Sequence, residues 1–257
     1  MIKTFLVKHF PALGRFKRLG KAWYNNVQPV RPSYSQYGED KVIVEFLAGH
    51  DLQNSIYVDV GANHPSDISN SYLLYRKGFR GIVVEPNEEL IGLFKNFRPE
   101  DIALAIGCSN ENTILPFHIS KTPVLSSFAD AWDENVYKTL HLPVMRLDDA
   151  IRHVKFDFIS LLSVDVEGLN CEVLEGACDA ISKALLVCLE CDTDQDRQKF
   201  NLLLGNNFEL YREMGCNLLF VNKVLSQRQR IARPMKAQQD MENGIQLQPF
   251  MGPQAQA

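Results

Sequence analysis

Five short apolar runs rich in β-branched residues recur through the middle of the chain, and stretches with helical spacing separate them. IYVDV (56–60), GIVVE (81–85), IALAIG (102–107), FISLLSVDV (158–166) and ALLVCLE (184–190) each read as a strand buried on both faces. The stretches SNSYLLYRKG (69–78), NEELIGLFKNF (87–97), LDDAIRH (147–153), LNCEVLEGACDAI (169–181) and the segment from Gln195 to Leu204 read as helices, the first stopping at Gly78. Strands that alternate with helices require a parallel sheet covered on both sides. FELYREM and CNLLFVN, which flank Gly215, suit an antiparallel pair instead. The expected fold is therefore α/β: a Rossmann-like sandwich whose mostly parallel sheet ends in a C-terminal antiparallel hairpin. Between 110 and 145 the signals are mixed, with a hairpin through TILPFHI and then a loop, TPVLSSF.

At 257 residues the chain suits one large domain. The segment YSQYGEDKVIVEFL reads as a leading helix with Val42, Ile43, Phe46 and Leu47 on one face. Residues 34–225 then form the domain, 1–33 a basic arm, and 226–257 a Gln-rich tail without period that reads as disordered. Charge divides the same way. Lys3, Lys8, Arg15, Lys17, Arg18, Lys21 and Arg31 all precede the first acid, Glu39; of the 27 basic residues 20 then remain against 31 acids, a balance of −11. So acidic a domain is unsuited to wrapping nucleic acid, whose affinity comes from neutralised phosphates. No apolar stretch reaches the roughly 20 residues that span a bilayer, and charges interrupt every apolar run of the arm, so a cytoplasmic protein is expected. The arm reads as a solvated or oligomer-contacting extension, with weak contact to an anionic membrane surface as the alternative. Cys108, Cys171, Cys178, Cys188, Cys191 and Cys216 follow no secreted-scaffold spacing; Cys188 and Cys191 form a C-x-x-C inside a strand, with no partner motif for a zinc site.

Three segments carry chemistry. In VDVGANHPSDISNS (58–71), Asp59 ends a strand, Gly61 permits a tight turn, and the polar run Asn63, His64, Ser66, Asp67, Ser69 and Asn70 opens the next helix, whose free N–H groups suit a carboxylate. Ligands of open α/β sheets bind at such strand ends. A generic polar turn is the plainer alternative. Glu85 ends the second strand 24 residues after Gly61, where an acid accepts hydrogen bonds from both ribose hydroxyls of an adenosine cofactor; otherwise it is a neighbour of a helix N-cap. Loop and acid together point to an adenosine-type ligand but do not separate nicotinamide from S-adenosylmethionine. In SVDVEG, strand alternation puts Ser163, Asp165 and Glu167 on one side, with Glu190 and Asp192 at the end of the next strand. Carboxylates so gathered are costly unless a substrate, a cation or hydrogen-bond donors meet them; solvated or helix-capping acids are the alternative.

VDVGANHP, GFRGIVVEPN, and LDDAI followed by FISLLSVDVEGLNCEVLEG resemble the FkbM family of S-adenosylmethionine-dependent methyltransferases, with SQYGED similar to the segment that precedes the fold in many members. The resemblance covers roughly residues 34–222, and its paired signatures D-V-G-A-N and D-V-E-G are specific. It implies that Asp59, Gly61, Ala62 and Asn63 hold the methionine portion of the cofactor, that Glu85 holds the ribose, that Ala105 and Ile106 line the adenine pocket, and that Asp165 lies near the transferred methyl. It also implies O-methylation of a small-molecule or glycan hydroxyl. Pro65 departs from the glycine of many members and supplies no N–H, which shifts the cofactor's carboxylate toward Ser69 and Asn70. Asp165 is the expected base or orienter, Glu167 and Glu190 the supporting carboxylates, His64 and His141 the outside candidates. No dedicated metal ligand set is expected; a divalent cation, Mg²⁺ or Mn²⁺, held by the carboxylates is the minor variant. Two rivals remain: an NAD-linked oxidoreductase, and a scaffold that binds cofactor without catalysis.

Overall fold

The structure is a computed structural model describing residues 11–122, 125–129 and 135–230. Its main sheet has seven strands in the order β3-β2-β1-β7-β8-β10-β9. β1 (Ser55–Val60), β2 (Gly81–Val84), β3 (Ile102–Leu104), β7 (Phe158–Val164) and β8 (Ala184–Glu190) run parallel, while β10 (Asn217–Asn222) is antiparallel to both β8 and β9 (Phe208–Met214). The expected α/β class and the closing hairpin are both present. Successive residues of the central strands feed opposite layers. Val58, Ile82, Val84, Leu162 and Val187 pack with Leu147, Val173, Leu174 and Phe200, and Tyr57, Val83, Leu161 and Leu186 pack with Ile43, Leu47, Leu74 and Phe94. Burial on both faces explains why these strands read as continuous apolar runs.

The helices that cover the sheet are α1 (Pro11–Val27), α2 (Glu39–Leu47), α3 (Tyr72–Arg76), α4 (Glu88–Phe97), α5 (Leu147–Ile151), α6 (Asn170–Glu175), α7 (Cys178–Ser182), α8 (Asp194–Leu204) and α9 (Lys223–Gln229). The stretch 169–181 is two helices divided at Gly176, where a Cβ would lie 2.1 Å from the carbonyl oxygen of Ser109, so only glycine fits beneath that backbone. The third expected strand also divides. Residues 102–104 stay in the main sheet, whereas β4 (Gly107–Cys108) joins a second sheet of order β4-β6-β5 with β5 (Thr113–Ser120) and β6 (Val136–Met145). The expected hairpin through TILPFHI is β5 paired with β6, from Thr113 opposite Val144 to Ser120 opposite Val136.

Both extensions differ from free arms where they are described. In α1, Ala22 and Asn25 are fully buried. Asn25 Nδ2 donates to the Ser66 carbonyl at 2.7 Å, Tyr72 Oη donates to Asn26 Oδ1 at 2.7 Å, and Arg76 donates to the carbonyls of Asn25 and Gln28. At the other end, residues 226–229 are the last turn of α9, and Asp51 N donates to the Gln229 carbonyl at 2.7 Å. The remainder of the tail, 231–257, and the first ten residues of the arm lie outside the described residues. No helix among those described is long and apolar enough to cross a membrane.

Candidate active site

The chain reverses its winding between β1 and β7, and a cleft of about 290 Å³ opens at the C-terminal ends of β1, β2, β7 and β8. Open α/β sheets bind ligands at such a switch point. Gly61 turns there with φ +80°, and a Cβ on it would lie 1.7 Å from the Asp165 carbonyl oxygen. The residue must be glycine because the neighbouring strand end presses against it, a tighter constraint than the approach of a ligand. Asn63, at φ 47°, then points its N–H at Glu85 Oε2 (2.9 Å), and Asn87 N donates to Oε1 (2.8 Å). Burial pushes the Glu85 carboxyl up to about 7 despite those two donors.

Of the nine residues expected at the cofactor, Gly61, Asn63, Glu85 and Ile106 line the cleft. The others are placed elsewhere. Ala62 is buried in the core layer beneath, and Ala105 is exposed beside the cleft. Ser69 Oγ accepts from Tyr72 N, and Asn70 Nδ2 donates to Ser163 Oγ at 3.2 Å. Asp59 accepts from the Ser71 hydroxyl, and burial raises its carboxyl. Ser71 in turn accepts from Arg98 Nη2 (3.0 Å), and Arg98 is fully buried and bonded to Asp101 Oδ2 (2.7 Å) and Tyr57 Oη (3.0 Å). Arg98 Nη1 also reaches the Pro65 carbonyl at 3.3 Å. One buried guanidinium thus braces the loop from behind, and nothing in the local sequence FRPE signals it.

The opposite wall is acidic. Asp165, Glu167 and Glu190 each offer a carboxylate oxygen, and these oxygens lie within 4.8 Å of one another. Strand alternation does not produce this cluster as expected. β7 stops at Val164, and Glu167 at φ 54° and Gly168 at φ 100° bend the chain back. Asn170 fastens the two strand ends by accepting from Val166 N (3.0 Å) and donating to the Glu190 carbonyl (3.1 Å). Glu190 Oε2 is buried with no hydrogen-bond partner among the described residues. Burial and then the Glu190 charge raise Asp165 well above the usual carboxylate range; burial, Glu190 and Asp192 push Glu167 up to about 7. Phe117 and residues 125–128 of the second sheet's connection complete the cleft, and Ser127 Oγ donates to the Glu167 carbonyl at 2.5 Å. Neither His64 nor His141 lines it. His64 Nδ1 accepts from Ser66 N, so its Nε2–H donates to the Arg18 carbonyl of α1.

A family model described as the methyltransferase FkbM domain matches residues 59–218, from the end of β1 into β10. The chain belongs to the FkbM methyltransferase family. Its sheet has the expected α/β arrangement, mostly parallel with the reversed strand β10 beside β8. Solved structures similar to it include magnesium protoporphyrin IX methyltransferase from Synechocystis PCC 6803 with bound S-adenosylmethionine, at 16% identity over 86% of this chain and 95% of that one, TM-score 0.42. A putative RNA methyltransferase from Pyrococcus horikoshii matches at 13% identity over 80% of this chain and 98% of that one, TM-score 0.39. Precorrin-6y C5,15-methyltransferase from Geobacter metallireducens matches at 12% identity over 70% and 86%, TM-score 0.36. No curated protein sequence matches the chain.

Proposed function

We propose that this FkbM methyltransferase moves the methyl group of S-adenosylmethionine to a hydroxyl oxygen of a sugar, glycan or other hydroxylated metabolite. The observation that carries the reading is the pairing, across one cleft, of an acid pinned by two backbone N–H groups with three acids whose carboxylates receive no N–H among the described residues, only the Cys216 thiol on Glu190 Oε1. Glu85 has its two oxygens oriented by Asn63 and Asn87, and its remaining lone pairs suit two adjacent ribose hydroxyls. Asn63 and Ile106 line the same cleft as Glu85 and suit the methionine and adenine ends. The cofactor supplies an activated methyl on a sulfonium leaving group.

Asp165 takes the part of base or orienter. Its raised proton affinity makes its ionised form a stronger base toward a hydroxyl proton than a free carboxylate is. Glu190 and Glu167 sustain that affinity by crowding it. The domain's negative balance favours a small neutral acceptor over a nucleic acid. A second reading rests on the same cluster and on the unpartnered Glu190 Oε2: an all-oxygen donor set suits Mg²⁺ or Mn²⁺, which Asp165, Glu167 and Glu190 would hold. Ligand oxygens around Mg²⁺ sit about 3 Å apart, from metal–oxygen bonds of about 2.1 Å, so the set must draw together to do so.

The test is transfer of label from methyl-tritiated S-adenosylmethionine into a cell extract by the purified protein, followed by identification of the product. Label in a hydroxylated small molecule or glycan as a methyl ether, lost with Asp165→Asn, is the expected result. Tight cofactor binding with no labelled product in any fraction would favour a catalytically idle scaffold, and binding of NAD in its place would overturn the reading altogether.

A further inference from the structure

We propose that the outer face of α1 is a docking surface for an anionic lipid bilayer. The helix is two-faced. Ala22 and Asn25 are fully buried against the domain, while Phe16, Trp23 and Val27 are 72%, 60% and 53% exposed. At about 100° per residue, positions separated by 7 and 11 fall within about 20° of one line, so these three side chains form a single stripe on the side away from the domain. Tyr24, 51% exposed, flanks it. Water does not favour a stripe of Phe, Trp, Tyr and Val; a membrane interface does, because Trp and Tyr rings are amphipathic and settle at headgroup depth.

Charge chooses the lipid. α1 carries Arg15, Lys17, Arg18 and Lys21 and no acid. Arg18 and Lys21 turn inward to Glu89 (2.5 Å) and Asp67 (3.1 Å), whereas exposed Arg15 and Lys17 make no ion pair among the described residues. The cations left free therefore border the apolar stripe, the combination that binds anionic headgroups. In sequence, residues 1–10 continue the pattern, with Ile2, Phe5, Leu6, Val7 and Phe10 among Lys3 and Lys8. Everything after Arg31 carries a balance of −11 and is repelled by the same surface, so α1 fixes a single orientation. That orientation concerns the cleft. His64, Ser66 and Asp67 are all bonded to α1, and Ile68, next in the chain, lines the cleft. Docking places this rim about one helix diameter, 10–12 Å, from the lipid.

The test is sedimentation of the purified full chain with vesicles of phosphatidylcholine alone and of phosphatidylcholine mixed with phosphatidylglycerol. A Trp132→Phe protein, in which Trp23 is the sole tryptophan, reports insertion through a blue shift of its emission. Wild type is expected to sediment with the mixed vesicles, less at high salt and little with phosphatidylcholine alone. The triple variant Phe16→Ser/Trp23→Ser/Val27→Ser and the double variant Arg15→Glu/Lys17→Glu should each lose about tenfold or more in partitioning. Both keep the inward contacts, so melting temperature and S-adenosylmethionine binding should stay at wild-type values. Wild type left in the supernatant, or variants that sediment as well as wild type, would overturn the proposal. So would a wild-type dimer that the triple variant abolishes without vesicle binding, which would give the face to a second copy. Single-stranded RNA binding in place of vesicle binding would give it to nucleic acid. None of these readouts depends on methyl transfer, so the proposal stands or falls apart from the proposed reaction.

Discussion

The two walls of the cleft treat a buried acid in opposite ways. At the end of β2, Glu85 is 5% exposed and each of its oxygens receives a backbone N–H, from Asn63 and Asn87. At the ends of β7 and β8, Asp165, Glu167 and Glu190 face one another, and one oxygen of Glu190 has no partner among the described residues. Burial is the largest cause that raises Glu85 and Glu167 to about 7. At Glu85 the Asp59 charge adds the smallest part and two N–H donors oppose it, whereas at Glu167 the Glu190 and Asp192 charges follow burial with no donor to oppose them. A carboxylate whose orientation is set by donors is prepared to recognise hydroxyls. Carboxylates that repel each other are prepared to take something positive, whether a proton from an acceptor or a cation. The difference separates a binding wall from a reacting wall, and each substitution below tests that division.

The largest effect is expected at Asp165. Asp165→Asn keeps size and one acceptor oxygen while removing the charge, so turnover should fall by roughly 10²–10⁴ with cofactor affinity nearly unchanged. Assays with and without chelator, repeated with added Mg²⁺ or Mn²⁺, separate a proton-accepting wall from a metal-holding one. Full turnover in Asp165→Asn would make the acid structural and erase the division. Next comes Glu85→Ala. Charge-assisted hydrogen bonds contribute about 1.5–3 kcal/mol each, so calorimetry should show S-adenosylmethionine binding weakened by at least about tenfold while the domain still melts cooperatively. Unchanged affinity would remove Glu85 from the binding wall.

A third effect has opposite signs at the two walls. Glu190→Gln removes a like charge from Asp165 and Glu167 and should raise the melting temperature of the cofactor-free protein near pH 8. Glu167 titrates at about 7 when folded against 4.5 when free, so the folded state holds more protons than the unfolded state in that window. Stability therefore falls as pH rises through it, the cost is fully present above about pH 7, and the gain from Glu190→Gln should fade by about pH 4.5. Glu85→Gln leaves one oxygen for two N–H donors and should lower stability by about 1–3 kcal/mol. Melting curves of both variants at the two pH values check the contrast; the same sign at both walls would show that desolvation alone sets the behaviour of these acids.

How much of this was legible in the sequence depended on whether the cause was local. Glu85 and Gly61 sit at strand ends marked by apolar runs and a glycine, and they line the cleft. Asp59 carries the same mark, but its side chain accepts from Ser71, which itself accepts from Arg98, and alternation alone does not tell a cleft-facing residue from a core-facing one. Arg98 lies 39 residues from Asp59, with no pattern to join them. α1 is not legible as a packed helix because the residues it buries, Gly14, Ala22 and Asn25, are small or polar and leave no apolar period. β5 and β6 are mostly half-exposed, so their alternation is blurred, although Phe117 from β5 lines the cleft. Alternation carried past the strand end puts Glu167 beside Asp165, whereas its left-handed backbone is what places it.

That backbone makes Glu167 the site of the smallest predicted effect and the sharpest test of how the acidic wall is built. A non-glycine residue at φ 54° is strained, and asparagine tolerates this region best among the others. Glu167→Asn should therefore preserve the bend that Ser127 holds through the Glu167 carbonyl while removing one of three crowded charges. Stability should rise slightly near pH 8, by about 1 kcal/mol or less, or roughly 2–4 °C in melting temperature. Turnover should change by less than about tenfold, since Asp165 and Glu190 remain. Glu167→Val removes the same charge but puts a β-branched residue in the left-handed region, and it should lower stability instead. If both variants stabilise, charge alone matters and the bend is free. If Glu167→Asn loses as much turnover as Asp165→Asn, the three carboxylates act as one unit, as a shared cation requires, because removing any one ligand then disables the whole set.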